Sequence, residues 1–375
     1  MAYEPPFRFG APVGPPFFCD REVELDVLTS RMRSGIHVFL LSPRRYGKSS
    51  LLERAAAVID KEGGRCASVN LMLCTTETEL ATTILSAVIK NVLSRSGRAK
   101  TRLEDLLRSL RISPRVTVSQ SGDFSFTFDA VLSQSDWLDV LQDAVRILRD
   151  AGTTKTSVLI LDEFQVVATI GKAGVGGAFK ALADQAQGTS IVFAGSHYSV
   201  MEKLTAARGA PLYGMGERVI LRVVPEEPMT HFLIRRSKIM GKLLSQDDAH
   251  VIYQRAGTIP NYVQQLALAA FECADVNVDV AAIENGVRAI VDRQSSDFAD
   301  RFGNLAPSQQ RILKALSDGP QASVFSKSFL DEVGVANHNA VTTALRALDA
   351  RELVASTDGA WAITDPFFRY WLTRT

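Results

Sequence analysis

Apolar positions in the first 225 residues gather in short runs rich in branched side chains: Val38–Leu41, Ala67–Leu73, Val158–Leu161, Ile191–Ala194 and Val219–Val223. Helical spacing of apolar residues fills most of the stretches between them. Unbroken apolar runs predict strands covered on both faces, and helices between strands predict parallel pairing, so this region reads as α/β. One stretch alternates instead. Val116–Ser119, the turn-forming Gln120–Asp123 and Phe124–Phe128 predict a β-hairpin laid onto the domain. After Pro225 the strand pattern stops and helical patterns run through His231–Leu244, Asp247–Ala256 and Pro260–Ala274, which together read as a helical lid. From Leu305 the pattern gives helices at Ser308–Leu316, Lys327–Val333 and Asn339–Leu348, then two strand-like pieces, Leu353–Ala355 and Trp361–Ile363. Three helices and a β-wing predict a winged helix. The expected division is a parallel-sheet α/β core over 1–224, a lid over 225–300 and a winged-helix domain over 301–375. No internal repeat or low-complexity tract interrupts it.

The first apolar run leads into Ser42-Pro43-Arg44-Arg45-Tyr46-Gly47-Lys48-Ser49-Ser50 and then Leu51-Leu52. Strand, loop and helix start follow in the order that a phosphate-binding loop requires. A glycine before the lysine lets backbone N–H groups face an anion with no Cβ in the way. Lys48 is then placed to charge-match β- and γ-phosphates, Ser49 to offer a hydroxyl to Mg²⁺, and the helix to present its positive end. Ser42 stands where the G-x-x-x-x-G-K-[ST] pattern has its first glycine. At the end of another apolar run, Asp162 and Glu163 supply a carboxylate for the metal and a base for an attacking water. The next run ends in Gly195-Ser196-His197-Tyr198-Ser199. Because strand ends meet at the ligand crevice of such sheets, Ser196 is the first candidate for a γ-phosphate contact and His197 the second. No Asn-Lys-x-Asp string selects guanine, so adenine, and hence ATP, is the default. Arg44, Arg45, Arg208 and Arg218 are the arginines available to complete the phosphate site.

Composition narrows the partners. The 375 residues carry 42 basic and 41 acidic side chains, a formal charge of +1, so no global field favours nucleic acid. A local basic stretch exists: Arg95, Arg98, Lys100, Arg102, Arg108, Arg111 and Arg115 face only Glu104 and Asp105. It reads as a solvated helix face or as a patch for a phosphate backbone or partner. The candidate recognition helix, Asn337–Arg346, offers amides and hydroxyls with a single arginine. Residues 305–375 balance seven basic against seven acidic side chains, which favours protein contact or lid locking over DNA binding. Trp361, Phe367, Phe368, Tyr370 and Trp371 read as docking residues for the C-terminus. Cys19, Cys66, Cys74 and Cys273 show no metal spacing and are too few for a disulfide framework. With no membrane-length apolar stretch and no basic-then-apolar leader pattern at Met1–Pro6, a cytoplasmic, soluble protein is expected.

Several strings in fixed order resemble the archaeal-type P-loop ATPases related to the AAA+ and STAND proteins. They are Phe17–Leu25 ahead of the first strand, the 43–50 loop, Leu-Asp-Glu-Phe-Gln at 161–165 and Gly-Ser-His-Tyr-Ser at 195–199. Pro211–Gly214, Gly257–Pro260 and Asp365–Leu372 complete the set. The resemblance spans almost the whole chain. It implies a sheet in which the phosphate-loop strand lies beside the sensor strand. It also implies that the Phe18–Glu22 segment, with Arg21, lies near adenine, and that the Gly257/Pro260 turn brings the lid toward the nucleotide. Where family members often carry an arginine after Leu-Tyr-Gly, this chain has Met215, with Arg218 three residues on.

These readings converge on a Mg²⁺-dependent, ATP-binding and ATP-hydrolysing molecular switch that couples nucleotide state to a protein partner, with room for a homo-oligomer in the ATP state. The alternative is an ATP-gated DNA-binding regulator or mobile-element accessory protein, using the Arg95–Arg115 segment or the winged helix. A small-molecule kinase fits less well, since nothing resembles an acceptor pocket.

Overall fold

A computed structural model describes residues 4–93, 108–111, 115–118, 124–127, 134–151, 156–170, 174–206, 208–335, 337–357 and 359–374. Two compact units divide the chain, Pro12–Arg222 and Met1–Ala11 with Val223–Thr375.

The first unit is built on strands β1 (Val38–Leu41), β2 (Arg65–Asn70), β5 (Ser157–Asp162), β6 (Thr189–Gly195) and β7 (Glu217–Ile220). They form a parallel sheet in the order β2-β5-β6-β1-β7, so the strand feeding the Lys48 loop does lie beside the strand ending at Gly195. Register aligns the chemistry. Leu41 is level with Gly195 and Leu161 with Phe193, so Ser42, Asp162 and Ser196 all leave the sheet on one rim.

The apolar runs are continuous because each side of the sheet is covered. Val38 and Leu40 pack on the face shared with α1 (Glu22–Arg33) and α2 (Lys48–Lys61). Phe39 and Leu41 pack on the opposite face, with α3 (Glu77–Leu93), α4 (Gln134–Asp150) and α5 (Val175–Gln185). At the centre of that face the ring of Phe193 stacks on Phe39 at 5.1 Å and meets Phe164 edge-on at 4.7 Å.

Strand β2 stops three residues short of the expected Leu73. The Asn70 side-chain oxygen accepts the Met72 N–H at 2.8 Å, a local turn that competes with the ladder and leaves Met72 and Leu73 exposed. The hairpin is present as β3 (Arg115–Val118) antiparallel to β4 (Phe124–Thr127). Its turn, and Arg95, Arg98, Lys100 and Arg102 of the basic stretch, lie outside the described residues.

The second unit contains the expected helices as α7 (Glu226–Ile239), α8 (Gln246–Arg255) and α9 (Pro260–Cys273), the short α6 (Tyr198–Thr205) belonging to the first unit. The winged helix follows as α11 (Pro307–Leu316), α12 (Lys327–Val333), α13 (His338–Ala350) and the wing β8 (Val354–Thr357) with β9 (Ala360–Ile363). Two further helices appear, α10 (Val280–Gly303) and α14 (Pro366–Leu372). Gly286 lies inside α10 because a Cβ there would sit 2.8 Å from the Ala270 nitrogen; the two helices approach through it.

Asp365 caps α14 by accepting the N–H groups of Phe367 and Phe368. Phe367, Phe368 and Trp371 are buried against Tyr262, Phe298 and Phe302, in keeping with a docked C-terminus. The described part of the first eleven residues, expected with the α/β core, packs here: Arg236 donates to the carbonyls of Pro6 and Pro5 at 3.0 and 3.2 Å, and Phe7 is buried beside Phe232. Among the described residues, no helix is long and apolar enough to cross a membrane.

Since Phe193 is fully buried and packs on Phe39, Phe164 and Phe179, Phe193→Ala is expected to lose about 3–5 kcal/mol of stability. Urea unfolding followed by circular dichroism checks this, and an unshifted midpoint would contradict the packing described.

Candidate functional site

The loop between β1 and α2 is held from behind. Ser42 extends the ladder by donating its N–H to the Gly195 carbonyl at 3.1 Å, while its hydroxyl donates to Pro43 O at 3.0 Å. A serine therefore serves where a glycine was expected, its short side chain folded back on the loop. Arg45 and Gly47 adopt left-handed conformations, at φ 71° and 91°. At Gly47 a Cβ would meet no neighbour, so what the position requires is the conformation itself. Ser50 accepts the Val13 N–H at 2.9 Å. Arg21, itself buried, donates to the carbonyls of Tyr46 at 3.2 Å and Arg222 at 2.6 Å while pairing with Glu24 at 2.7 Å. Pro43, Arg44 and Arg45 are exposed at the loop's outer edge; Lys48 is buried.

Five of the expected side chains meet at the rim. The Lys48 ammonium contacts Asp162 Oδ1 and lies 3.2 Å from Glu163 Oε1. Ser49 Oγ donates to Asp162 Oδ2 at 3.3 Å, and the Ser196 hydroxyl donates to Glu163 Oε2 at 2.7 Å. Glu163 leaves β5 in a left-handed conformation, φ 56°, and opens a 3₁₀ turn over Phe164–Ala168 whose buried Phe164 and Val167 anchor it. Gln165, named above only as the last residue of the 161–165 string, joins the cluster. It donates to Glu163 Oε2 at 2.5 Å and to Ser196 Oγ at 3.2 Å, and accepts the Ser196 N–H at 3.2 Å. The signal for it in the sequence was its place in the Leu-Asp-Glu-Phe-Gln string, two residues after Glu163.

Burial pulls the Lys48 ammonium below the usual lysine range against the opposing attraction of Glu163. Burial pushes Glu163 the other way, but the Lys48 charge and the Gln165 and Ser196 hydrogen bonds outweigh it and hold that carboxyl below its ordinary value. Glu163 is therefore ionised across the neutral range.

The other candidates have settings of their own. His197 precedes α6, one residue past Ser196. Arg218 is level with Phe39, two residues short of the end of β7, and its guanidinium is 4.0 Å from Glu202. Arg208 is exposed. The Phe18 ring lies under the Arg54 guanidinium at 4.5 Å. Pro260 occupies the first turn of α9 in the second unit, behind left-handed Gly257 and Thr258. Of the basic stretch, Arg111 is committed to Asp139 at 2.5 Å and Asp143 at 3.2 Å.

No cluster of three or more His, Cys, Asp or Glu side chains with metal-binding spacing occurs among the described residues. The Asp162 carboxylate beside the Ser49 hydroxyl is an all-oxygen donor pair at a helix start. That set fits Mg²⁺, which takes few protein ligands and completes its shell with phosphate and water.

In comparisons with known proteins, residues 296–374 match the family model for a probable winged helix domain. No curated protein matches the sequence. The Walker-type ATPase PABY2304 of Pyrococcus abyssi superposes with a TM-score of 0.65 over 97% of this chain and 98% of its own, at 17% identity. The chain has the fold of the Walker-type P-loop ATPases. Two Aeropyrum pernix structures are also similar. ORC2, solved as ADPNP–ADP complexes, gives a TM-score of 0.55 at 14% identity, covering 96% of this chain and 95% of that one. ORC1, solved with DNA, gives 0.51 at 15% identity, covering 96% and 94%. The α/β core and C-terminal winged helix read from the sequence thus stand, and so does the likeness to archaeal P-loop ATPases at the level of fold.

Lys48→Ala leaves Asp162 and Glu163 adjoining without their counter-charge, and removes the charge that holds the Glu163 carboxyl below its ordinary value. The variant is expected to lose about 1–3 kcal/mol at pH 7, less than the loss for a fully enclosed pair because Glu163 keeps some solvent. Carboxylates without a counter-charge destabilise only where they are ionised, so the deficit should shrink as pH falls toward 5. Urea unfolding at the two pH values checks this, and an equal deficit at both would contradict it.

Proposed function

We propose that the first unit binds Mg²⁺–ATP at the Lys48 loop and hydrolyses it, and that the chain is a molecular switch passing its nucleotide state to a protein partner. One observation carries the reading: a loop lysine at a helix start meets two carboxylates at a strand end, beside the serine that ends the neighbouring strand. Lys48 and the backbone N–H groups before α2 would hold the β- and γ-phosphates, within the loop Ser42-Pro43-Arg44-Arg45-Tyr46-Gly47-Lys48-Ser49-Ser50. Ser49 and Asp162 would hold the metal, which supplies charge neutralisation between the phosphates. Glu163, ionised at neutral pH, accepts a proton from the attacking water, and Ser196, with His197 behind it, contacts the γ-phosphate.

The Phe18–Arg21 segment is assigned to the adenine side. Arg21 acts there through the backbone, since its guanidinium is committed to the Tyr46 and Arg222 carbonyls. Pro260 belongs to the turn by which the lid senses nucleotide. Arg44, Arg45, Arg208 and Arg218 remain the candidates to complete the γ-phosphate site, from this chain or a neighbouring copy in an ATP-state homo-oligomer. The setting proposed is the cytoplasm.

Glu163→Gln is expected to lower phosphate release by at least about 100-fold while ATP binding is kept. Malachite-green turnover beside equilibrium binding checks both; undiminished turnover would remove Glu163 from the base role.

A DNA-binding reading has its own support, in the winged-helix match and in the ORC1 structure solved with DNA. Asn337, His338, Asn339, Thr343 and Arg346 are exposed along α13. The balanced charge of residues 305–375 argues for weak affinity, so we assign this domain mainly to protein contact. An electrophoretic shift assay at 50 and 150 mM salt, conditions of about the range over which phosphate contacts fade, is expected to show no ATP-dependent complex. An ATP-dependent shift at low salt would favour the DNA reading.

A further inference from the structure

We infer that Gln165 is the positioning residue that holds Glu163 in place while nucleotide is bound, an inference that rests on the hydrolytic reading above. Three donors fix the Glu163 carboxylate: Lys48 on Oε1, and the Ser196 hydroxyl and the Gln165 amide on Oε2. Two of them have work to do on phosphate. The Ser196 hydroxyl has a single proton, so it donates either to Glu163 or to a γ-phosphate, never to both. The Lys48 ammonium is drawn toward the added negative charge of the triphosphate in the same way. Gln165 has no phosphate to serve. Its bond to Glu163 is the one that survives ligand binding.

The orientation of that amide is set by chemistry. The Ser196 N–H can only donate and the ionised Glu163 carboxylate can only accept, so the Gln165 oxygen faces Ser196 N and its nitrogen faces Glu163. The second amide hydrogen points to Ser196 Oγ. When the Ser196 hydroxyl turns away, this hydrogen still ties Ser196 to Gln165, and Gln165 to Glu163. The end of β6 and the base at the end of β5 thus remain joined through one side chain.

Space for the amide is provided by the chain. A Cβ on Gly195 would stand 2.8 Å from the Gln165 oxygen and 2.5 Å from Met201 Cγ, so Gly195 leaves open the pocket the carboxamide fills. The left-handed turn at Glu163 brings Gln165 back alongside it rather than onward along the strand. Phe164, buried between them in sequence, locks that turn into the core.

The test compares the parent chain, Glu163→Gln, and two substitutions of Gln165. Gln165→Met keeps the shape and removes both polar atoms. Gln165→Glu keeps an acceptor for the Ser196 N–H but replaces the donor with a second carboxylate. Mant-ATP affinity and single-turnover phosphate release are measured for each in the full chain.

The expected result is an ATP Kd within about 2-fold of the parent and a release rate lowered about 100-fold in both Gln165 variants, the scale of a misplaced catalytic group. A purely structural role would lower affinity and rate together or neither, so the split is diagnostic. Parent-like release in Gln165→Met, with Glu163→Gln inactive, would overturn this inference and leave the hydrolytic reading standing. No release from the parent itself would end both. If Gln165→Met fails to fold, Gln165→Glu decides, and a parent-like rate in it overturns the inference equally.

Discussion

A buried ammonium cannot stand alone, and the first unit is arranged around that constraint. Lys48 is taken out of water at the start of a helix whose own N-terminus is electropositive, an environment that disfavours its charge twice over. Asp162 and Glu163 offset this, and they reach it only because β5 and β1, separated by β6, end at matching heights in a parallel sheet. The same three groups suit a ligand that brings negative charge and a divalent cation. In the proposed complex a triphosphate would exchange carboxylate partners of Lys48 for phosphate ones and free Asp162 to face a metal.

The rim is also where the backbone departs from easy conformations. Arg45, Gly47 and Glu163 all take positive φ within the loop and acid cluster, and a left-handed non-glycine residue costs roughly 1–2 kcal/mol. Such conformations persist where the surroundings over-determine them. Here buried anchors do so: Arg21 on the Tyr46 carbonyl, Ser42 in the ladder, and Phe164 and Val167 beneath the 3₁₀ turn. Phe164, the residue after Glu163, packs on Phe193 in the aromatic centre, so core packing and the acid cluster are joined through one turn.

Much of this was legible from residue order. Covered strands announce themselves as unbroken apolar runs, and a loop lysine or a strand-ending acid pair has few other uses in that context. What escaped the sequence were features set by contacts between distant segments or by competing local bonds. Asn70 ends β2 with a side-chain hydrogen bond that an apolar count cannot register. Gly286 looks like a helix breaker until Ala270 is seen against it. The first residues travel with the second unit because Arg236 collects the Pro5 and Pro6 carbonyls, more than 200 positions away. Gln165 was quoted only as the end of a motif string, since its role depends on a turn that folds it back beside Glu163. Arg111 entered a count of free basic charge although α4 already neutralises it.

The proposed role of Lys48 as a phosphate ligand is tested most directly by isothermal calorimetry. Titration of Mg²⁺–ATP into the parent chain should give a saturable heat with about one site per chain, and Lys48→Ala, confirmed as folded by circular dichroism, should bind at least about 100-fold more weakly, the loss of a charge-assisted contact of nearly 3 kcal/mol. Equal affinity in the two proteins, or no heat from either, would contradict it.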